Sequence, residues 1–399
     1  MGAAGLHFPA FLSVSSSAIC DICVQGDKTM KLSDIIRILE EIAPPEYAQS
    51  DDTIGLQAGD PDRDVRGIVV TVDVTPDVVA DVVRRKADLL ISHHPVINTR
   101  AGLLSSVRAD VYPQSLIYRL VHAGVALYVM HTNFDAADGG INDVLAEALG
   151  VVDTKILLPT YTDKVFKLVT FVPEEAADAV REAMADAGAG DIGDYTDCSF
   201  RTPGTGTFKP QPGAEPYVGD IGELAKAPEV RLEILVPKDR LHDVISAMIE
   251  AHPYEEVAYD VYPLWNQGEV HGIGLYGKLP SPTTFGDFRA MACKALQVPD
   301  PRTSGDPDSV VETVALLGGG GSGRIGLAHS IGADVYVTGD VGHHQFLLAK
   351  AIGINVLDAT HFWTERPGMQ ALVPKLREIL EHEDVTVEYV DDVTLGTGR

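Results

Sequence analysis

The sequence predicts an α/β protein built from two similar α/β halves, with a smaller α+β ferredoxin-like domain inserted between them. Short β-branched segments alternate with amphipathic helical segments over residues 30–160 and again over 270–399. The two halves also share a spacing, because 22 positions separate Val65 from Ala87 and Val311 from Ala333. Between the halves, residues 161–269 contain two further β-α-β segments, which is the pattern of a ferredoxin-like fold.

Length and composition are those of a globular protein with two or three domains. The chain has 399 residues, of which 45% are hydrophobic and 22% are charged. Its net charge of −27 argues against a general binder of nucleic-acid backbone, which needs clustered Lys and Arg. No apolar run approaches the roughly 20 residues of a membrane-spanning helix. We therefore expect a cytoplasmic protein that acts on a small molecule, with no membrane or nucleic-acid partner.

Residues 1–29 differ from the rest of the chain. No Lys or Arg precedes the mildly apolar stretch from Leu6 to Ile19, so a secretory signal is not indicated. An amphipathic helical pattern starts directly after Met30. We expect residues 1–29 to be an extension that is disordered or not native. Cys20 and Cys23 form a C-x-x-C there, but without a second pair the motif is a weak signal for zinc or redox chemistry.

The first half alternates strands and helices in order. Thr75 and Pro76 form a helix start, with Thr75 as N-cap and proline at the first position. The predicted helices cover about 31–42, 76–86, 112–122 and 141–149, and the predicted strands cover 67–74, 87–92 and 125–130. Polar segments follow two of these strands, namely Ser92-His-His-Pro95 and His131-Thr-Asn-Phe-Asp135.

The insertion and the second half complete the pattern. The insertion has predicted strands at 165–172, 230–236 and 257–262, predicted helices at 174–187 and 239–251, and a Gly/Pro-rich polar region at 190–228. The second half has predicted strands at 312–317, 333–340 and 354–359, with helices at about 324–331, 343–352 and 366–381. A pseudo-duplication of this kind brings polar residues at matching strand ends into one cleft.

A set of imidazoles and carboxylates follows the predicted strands on the same side of the sheet, where ligands bind in open α/β folds. The set lacks thiolates and suits borderline divalent ions such as Zn, Mn or Fe. His361 and Glu365, spaced i,i+4, suit one terminal and one bridging ligand of a two-metal site. The alternative is an assortment of satisfied polar groups at strand ends. The set comprises His93, His94, His131, Asp135, Asp340, His343, His344, His361 and Glu365.

A glycine-rich segment, Gly318–Gly323, follows a predicted strand and allows two interpretations. It is either an anion-binding nest at a helix N-terminus or a tight turn. It lacks the Lys and Ser/Thr of a P-loop and the acidic residue of a dinucleotide site, so the tight turn is favoured.

The motifs together resemble the family of GTP cyclohydrolase 1 type 2 homologues, also called Nif-three-like proteins. The resemblance extends from Met30 to the C-terminus and includes the insertion. Where the family has a Trp-Asp-Asn run, this chain has Asp51-Asp52-Thr53. The matching motifs are the two given above, Val337-Thr-Gly-Asp340 with His343-His344, and His361-Phe-Trp-Thr-Glu365; in the insertion they are Gly204-Thr-Gly-Thr-Phe208 and His252-Pro-Tyr-Glu-Glu256.

The resemblance implies two divalent metal ions per chain. It implies that His131 and His343 support the metal ligands or face the substrate and have catalytic roles. It also implies a ring-shaped homohexamer. The inserted domain is similar to trimeric signalling and copper-tolerance modules. The family name implies hydrolytic opening of the guanine ring of GTP. The alternatives are a metal-dependent phosphoester or amide hydrolase and a non-catalytic metal-handling or regulatory protein. The implied metal ligands are His93, His94, Asp135, His361 and Glu365, with Glu365 bridging.

Overall fold

The computed structural model describes residues 30–97 and 106–392, so the predictions for residues 1–29, Cys20 and Cys23 included, lie outside the described residues. The chain forms two compact units. The large unit comprises the described residues up to Thr160 and from His271 onward, and the small unit comprises Tyr161–Val270.

The regular elements are numbered here in chain order. The helices are α1 (Leu32–Ile42), α2 (Pro76–Arg85), α3 (Gln114–Ala123), α4 (Thr132–Ala136), α5 (Ile141–Ala148), α6 (Ala177–Asp186), α7 (Leu241–Ala251), α8 (Phe285–Leu296), α9 (Ile325–Ser330), α10 (His343–Ile352) and α11 (His361–Ile379). The strands are β1 (Met30–Lys31), β2 (Gly55–Ala58), β3 (Asp64–Val65), β4 (Gly67–Thr71), β5 (Leu89–Ser92), β6 (Ala126–Val129), β7 (Val152–Val172), β8 (Ser199–Phe208), β9 (Ala225–Pro237), β10 (Tyr259–Thr284), β11 (Arg302–Ser304), β12 (Val310–Leu316), β13 (Val335–Thr338), β14 (Asn355–Asp358) and β15 (Thr386–Tyr389).

The first half of the large unit is a sheet of order β15-β4-β5-β6-β2. Strands β15, β4, β5 and β6 are parallel, and β2 pairs antiparallel with β6 at the edge. The central strands are buried along their whole length, as the near-continuous apolar runs of parallel strands require. The carboxyl ends of β5 and β6 therefore lie at the same edge of the sheet.

The second half of the large unit has the same succession of strands. Strands β12, β13 and β14 are parallel neighbours, and β11 pairs antiparallel with β14 at the edge. Strand β10 pairs antiparallel with β12 on the other side. Residues Val335–Thr338 and Asn355–Asp358 are fully buried. The segments that follow β13 and β14 begin at adjacent strand ends.

Local sequence accounts for several boundaries of these elements. Thr75 accepts a hydrogen bond from the Val78 amide at 3.2 Å, and Pro76 occupies the first helical position of α2, as the sequence predicts. Gly124 ends α3 in the left-handed conformation, which glycine adopts without steric cost because it lacks a Cβ atom. Helix α1 buries one apolar stripe against the core of the large unit.

The small unit has the strand order β10-β7-β9-β8, with α6 between β7 and β8 in sequence and α7 between β9 and β10. Strand β9 pairs antiparallel with both β7 and β8. The core of the small unit contains the alternating apolar residues of β9 and the inner faces of α6 and α7. It includes Leu232, Ile234, Val236, Val180 and Met248.

Several elements differ from the sequence prediction, and α8, β11 and β15 were not predicted at all. Strand β8 lies in the region predicted to be irregular, because Pro203, Gly204 and Gly206 obscure a strand that occupies the sheet edge. The short helix α4 was not predicted. Helix α11 begins at His361, five residues before its predicted start, so that Glu365 lies one helical turn from His361.

Among residues 30–97 and 106–392, no helix combines the length and apolar character needed to cross a bilayer.

Candidate metal centre

The predicted imidazoles and carboxylates of the large unit meet at the ends of its parallel strands. His93 and His94 directly follow β5, and His131 follows β6 just before α4. His361 and Glu365 occupy the first turns of α11, which follows β14. Two overlapping groups of ligand atoms lie within 4.8 Å of one another: one contains His93, His94 and His131, and the other contains His94, His361 and Glu365.

Each of four imidazoles donates its Nδ1 proton to an oxygen acceptor. The acceptor of His93 is the Met130 carbonyl oxygen, at 2.8 Å. The other three acceptors are carboxylates: Asp73 for His94 at 2.8 Å, Asp52 for His131 at 2.8 Å, and Asp340 for His361 at 2.7 Å. With Nδ1 held by an oxygen, Nε2 is the ring nitrogen that each of these imidazoles offers to a metal ion. This pairing of the outer nitrogen with an oxygen is the arrangement of metal-binding histidines.

Glu365 lies at the middle of the site and is 3% exposed. Its Oε1 atom lies 3.0 Å from His361 Nε2 and 3.5 Å from His93 Nε2, and its Oε2 atom lies 3.2 Å from His94 Nε2. His93 Nε2 also lies 3.6 Å from Asp135 Oδ1. Bonds of about 2.0–2.2 Å to one ion place two ligand atoms about 3–3.5 Å apart. The spacing of these atoms therefore fits ligands that share an ion.

Buried polar atoms without partners test this fit further. Within the described residues, His93 Nε2, Asp135 Oδ1 and Glu365 Oε2 are buried and have no hydrogen-bond partner. An unsatisfied buried polar atom costs about 1–3 kcal/mol, so native proteins rarely keep several of them together. All three point to the same small volume. A divalent cation coordinated by these atoms satisfies them at once, and the residues present fit such an ion.

The imidazoles and carboxylates of the site shift one another's pKa values. Burial and the neighbouring charge of Glu365 raise the pKa of Asp135 to about 7. Burial also acts to raise the pKa of Glu365, but the charges of His94 and His93 outweigh it and hold that pKa well below its usual value. For His361, hydrogen bonds to Asp340 and Glu365 overcome burial and raise the pKa to about 10. The cluster thus has strong affinity for positive charge.

The glycine-rich segment packs directly on this cluster. A Cβ atom at Gly319, whose φ is +69°, would lie 2.2 Å from Glu365 Oε1. The amides of Gly318, Gly319 and Gly321 donate to side chains within the protein, which are Asn142, Thr364 and Thr338 respectively. These amides are therefore used to hold the loop in place. The structure supports the tight turn and not the anion-binding nest.

His343 and His344 lie apart from this arrangement. Both are exposed in the first turn of α10, and their rings contact each other with centroids 5.5 Å apart. Asp340, which precedes that helix, does reach the cluster through His361. Of the predicted set, the structure thus brings His93, His94, His131, Asp135, Asp340, His361 and Glu365 together.

Two carboxylates of the site had no role in the sequence prediction. Asp73 follows β4 at the same strand end as the histidines, and this position was the available signal. Asp52 lies in the Asp51-Asp52-Thr53 segment and accepts hydrogen bonds from His131 and from the Thr132 amide. Burial opposes the charge on Asp52, but these bonds hold its pKa well below the usual value.

Comparison with known proteins decides the family. The sequence profile of the Duf34/NIF3 (NGG1p interacting factor 3) family matches residues 30–393. The chain belongs to the Duf34/NIF3 family. Among its curated relatives, a Bacillus subtilis "GTP cyclohydrolase 1 type 2 homolog" is 43% identical over 335 residues, which are 84% of this chain and 89% of the relative. A protein of the same name from Halalkalibacterium halodurans is 38% identical and covers 89% of this chain and 95% of its own.

Solved structures agree with this Duf34/NIF3 assignment. A Bacillus cereus protein related to NIF3 is 40% identical, covers 91% of this chain and 97% of its own, and superposes with a TM-score of 0.84. The Staphylococcus aureus protein SA1388 is 26% identical, covers 91% of this chain and 96% of its own, and gives a TM-score of 0.70. The family resemblance drawn from the motifs is confirmed.

Proposed function

We propose that this protein is a metal-dependent hydrolase with a dinuclear divalent-metal centre. The observation that carries the proposal is the set of Nε2 atoms that face Glu365 while their Nδ1 atoms are held by oxygens. Glu365 is the proposed bridging ligand, because its two oxygens face different histidines. The other proposed ligands are His93, His94, Asp135 and His361.

Held by His93, His94, Asp135, His361 and Glu365, a pair of divalent ions would supply a Lewis acid and would lower the pKa of a bound water. The rest of the chemistry belongs to the side chains. His131 donates from Nδ1 to the ionised carboxylate of Asp52, so its Nε2 atom is oriented to accept a proton beside the cluster. His343, exposed at the start of α10 and outside the cluster, is the proposed second proton-carrying residue.

The proposed substrate is a nucleotide or a related small molecule. Curated relatives bear the name "GTP cyclohydrolase 1 type 2 homolog", which suggests opening of the guanine ring of GTP. The site itself is partly open, since His361 is 36% exposed and Asp340 is 61% exposed at their side chains. A solvent-accessible edge of this kind admits a small molecule to the cluster.

The experiment is metal-dependent turnover by the reconstituted protein across a panel of nucleotides, with formate and phosphate release followed separately. Formate release from GTP supports ring opening, and phosphate release alone supports a phosphoesterase. The matched variant is His131→Asn, which we expect to retain metal and lose turnover. Full metal loading without turnover of any nucleotide would favour a non-catalytic metal-handling or regulatory protein.

We also propose that the two halves of the large unit descend from one duplicated unit, and that the small unit is an inserted ferredoxin-like domain. Each half has three parallel strands in sequential order with an antiparallel edge strand beside the third. The strand order β10-β7-β9-β8 is that of a β-α-β-β-α-β sheet. The proposed domain limits are 30–160 with 270–399, and 161–269.

The proposed assembly is a homohexameric ring, by analogy with the family. Light scattering of the purified protein tests it directly through the molar mass. A variant in which a short flexible linker replaces residues 161–269 tests the domain limits. We expect it to keep its metal, because every proposed ligand belongs to the large unit. A soluble variant without metal would contradict that expectation.

A further inference from the structure

The small unit contains a cavity of about 790 Å³ that joins the two motifs of the insertion. Residues 202–211, which include Gly204-Thr-Gly-Thr-Phe208, form one wall. Tyr254, Glu255 and Glu256, from the His252-Pro-Tyr-Glu-Glu256 motif, contribute to another. The volume lies in the range of small-molecule sites, about 300–1,000 Å³. None of these residues belongs to the candidate metal centre, so the cavity needs its own explanation.

Aromatic rings line much of the cavity. Tyr254 lies at their centre, with ring centroids 6.1 Å from Phe208 and 5.8 Å from Tyr217. Phe171 also lines the cavity, and the guanidinium of Arg231 lies 5.8 Å from the centroid of that ring. The faces of such rings attract cations through their quadrupole. The Arg231 contact shows that a cation is accommodated beside Phe171.

His252 holds Tyr254 in position. The Nε2–H of His252 donates to the Phe171 carbonyl oxygen at 3.1 Å, and the Tyr254 amide donates to His252 Nδ1 at 3.1 Å. Both nitrogens of this buried imidazole are thus used within the protein. His252 is therefore a positioning residue: it holds Tyr254, which lines the cavity.

A buried carboxylate completes the cavity. Glu229 is 9% exposed, lines the cavity and accepts a hydrogen bond from the Tyr254 hydroxyl at 2.9 Å. Among the ion pairs of the described residues, none joins Glu229 to a Lys or Arg. Gly206 makes room for it, because a Cβ atom there would lie 2.1 Å from Glu229 Oε2. A carboxylate this buried is rare unless a cation or several donors satisfy it.

The remaining charges of the lining define the ligand class. The lining contains three carboxylates, Glu229, Glu255 and Glu256, and two cationic side chains, Lys209 and Arg231. Arg231 already donates a hydrogen bond to Glu233 at 2.8 Å. We propose that the cavity binds a small organic cation, whose ammonium group lies against Glu229 and whose apolar body packs on the aromatic rings. This site is independent of the proposed hydrolase function.

The test is a titration of the full-length protein with two cationic probes, benzylamine and benzyltrimethylammonium, and with the neutral isostere benzyl alcohol, followed by calorimetry and by saturation-transfer NMR. We expect saturable binding of a cationic probe at one site per chain, and binding of benzyl alcohol at least about tenfold weaker. Glu229→Gln should weaken the binding of the cation about tenfold, because a charged acceptor is lost.

Two variants of strand β8 form a matched pair. Gly206→Ala displaces the Glu229 carboxylate and should weaken binding as Glu229→Gln does. Ser199→Ala changes an exposed residue of the same strand outside the cavity lining and should leave binding unchanged. Circular dichroism confirms that each variant is folded. Absence of saturable binding of both cations up to about 10 mM, equal binding of benzyl alcohol, or unchanged binding by a folded Glu229→Gln variant would each overturn the proposal.

Discussion

The Nε2 atom of His93 and the Oε1 atom of Glu365 lie 3.5 Å apart, although the two residues come from opposite halves of the large unit. Both side chains are buried, and the tautomer of His93 is fixed by the Met130 carbonyl oxygen. The facing atoms are therefore a ring nitrogen and a carboxylate oxygen directed at the same point. A metal ion bound there, as proposed, would link the two halves chemically.

Replacement of the central carboxylate should remove the metal. Glu365→Gln should lower metal affinity on the order of a hundredfold, since an amide replaces the charged group between the histidines. The matched control is Glu378→Gln, an exposed carboxylate on the same helix, which should keep full metal content. Elemental analysis after reconstitution and dialysis measures both. Equal metal content in the two variants would contradict the proposed role of Glu365.

The carboxylates that accept hydrogen bonds from the imidazoles should affect metal affinity nearly as much as the ligands do. Asp73→Asn and Asp340→Asn should each lower metal affinity about 10- to 100-fold, because they orient His94 and His361 through Nδ1. Competition with a chromogenic chelator measures the affinity. If both variants bind metal as tightly as the wild type, Nε2 of these histidines is not the coordinating atom.

Gly319 should be intolerant of any side chain. In Gly319→Ala the new Cβ would lie 2.2 Å from Glu365 Oε1, and the residue has a φ of +69°. We expect a loss of about 2 kcal/mol in the free energy of unfolding, together with loss of metal. Gly323→Ala is the control, because no heavy atom lies within 4 Å of a Cβ there. Urea titration measures the free energy of unfolding of both variants, and elemental analysis measures their metal content. Equal stability and equal metal content in the two variants would refute the close packing of Gly319 on Glu365.

The convergence of the site was predictable from the sequence because of one rule of sheet geometry. His93 ends a buried apolar run, His131 ends another, and parallel strands in one sheet place such ends at one edge. The positions of these residues follow from their place after β5 and β6. The structure adds the roles of Asp52 and Asp73. Their hydrogen bonds depend on backbone positions across the sheet that no local pattern contains.

Other features were not predictable because they depend on tertiary contacts. Pro203 and Gly204 disfavour strand structure locally, yet β8 forms because it pairs with β9 along ten residues. Helix α11 begins at His361, after Thr360 adopts a φ of +62°. A β-branched residue rarely adopts that conformation, so a sequence pattern would not place a helix boundary there.

The small unit should lose stability in mild acid through His252. Burial lowers the pKa of this imidazole in the folded state, relative to about 6.5 in the unfolded chain. The folded state then binds fewer protons, so the contribution of His252 to stability is present above about pH 6.5 and is lost as the pH falls below that value. Protonation also removes the acceptor of the Tyr254 amide.

Hydrogen exchange measures this effect at the peptide that contains Tyr254. Its protection factor, corrected for intrinsic exchange, should fall between pH 7 and about pH 5.5 in the wild type, and His252→Gln should remove most of that dependence. The control is His242→Gln, an exposed residue at the start of α7. A pH dependence that persists in His252→Gln would assign the titration to another group.

Metal stoichiometry tests the central claim most directly. The full-length protein is to be stripped with a chelator, reconstituted separately with Zn, Mn and Fe(II), and dialysed before elemental analysis, with Glu365→Gln treated in parallel. The proposed dinuclear centre predicts about two equivalents per chain for at least one metal, and far less in the variant. Wild-type content near zero for all three metals would contradict the metal centre, and a content limited to one equivalent would contradict its dinuclear form.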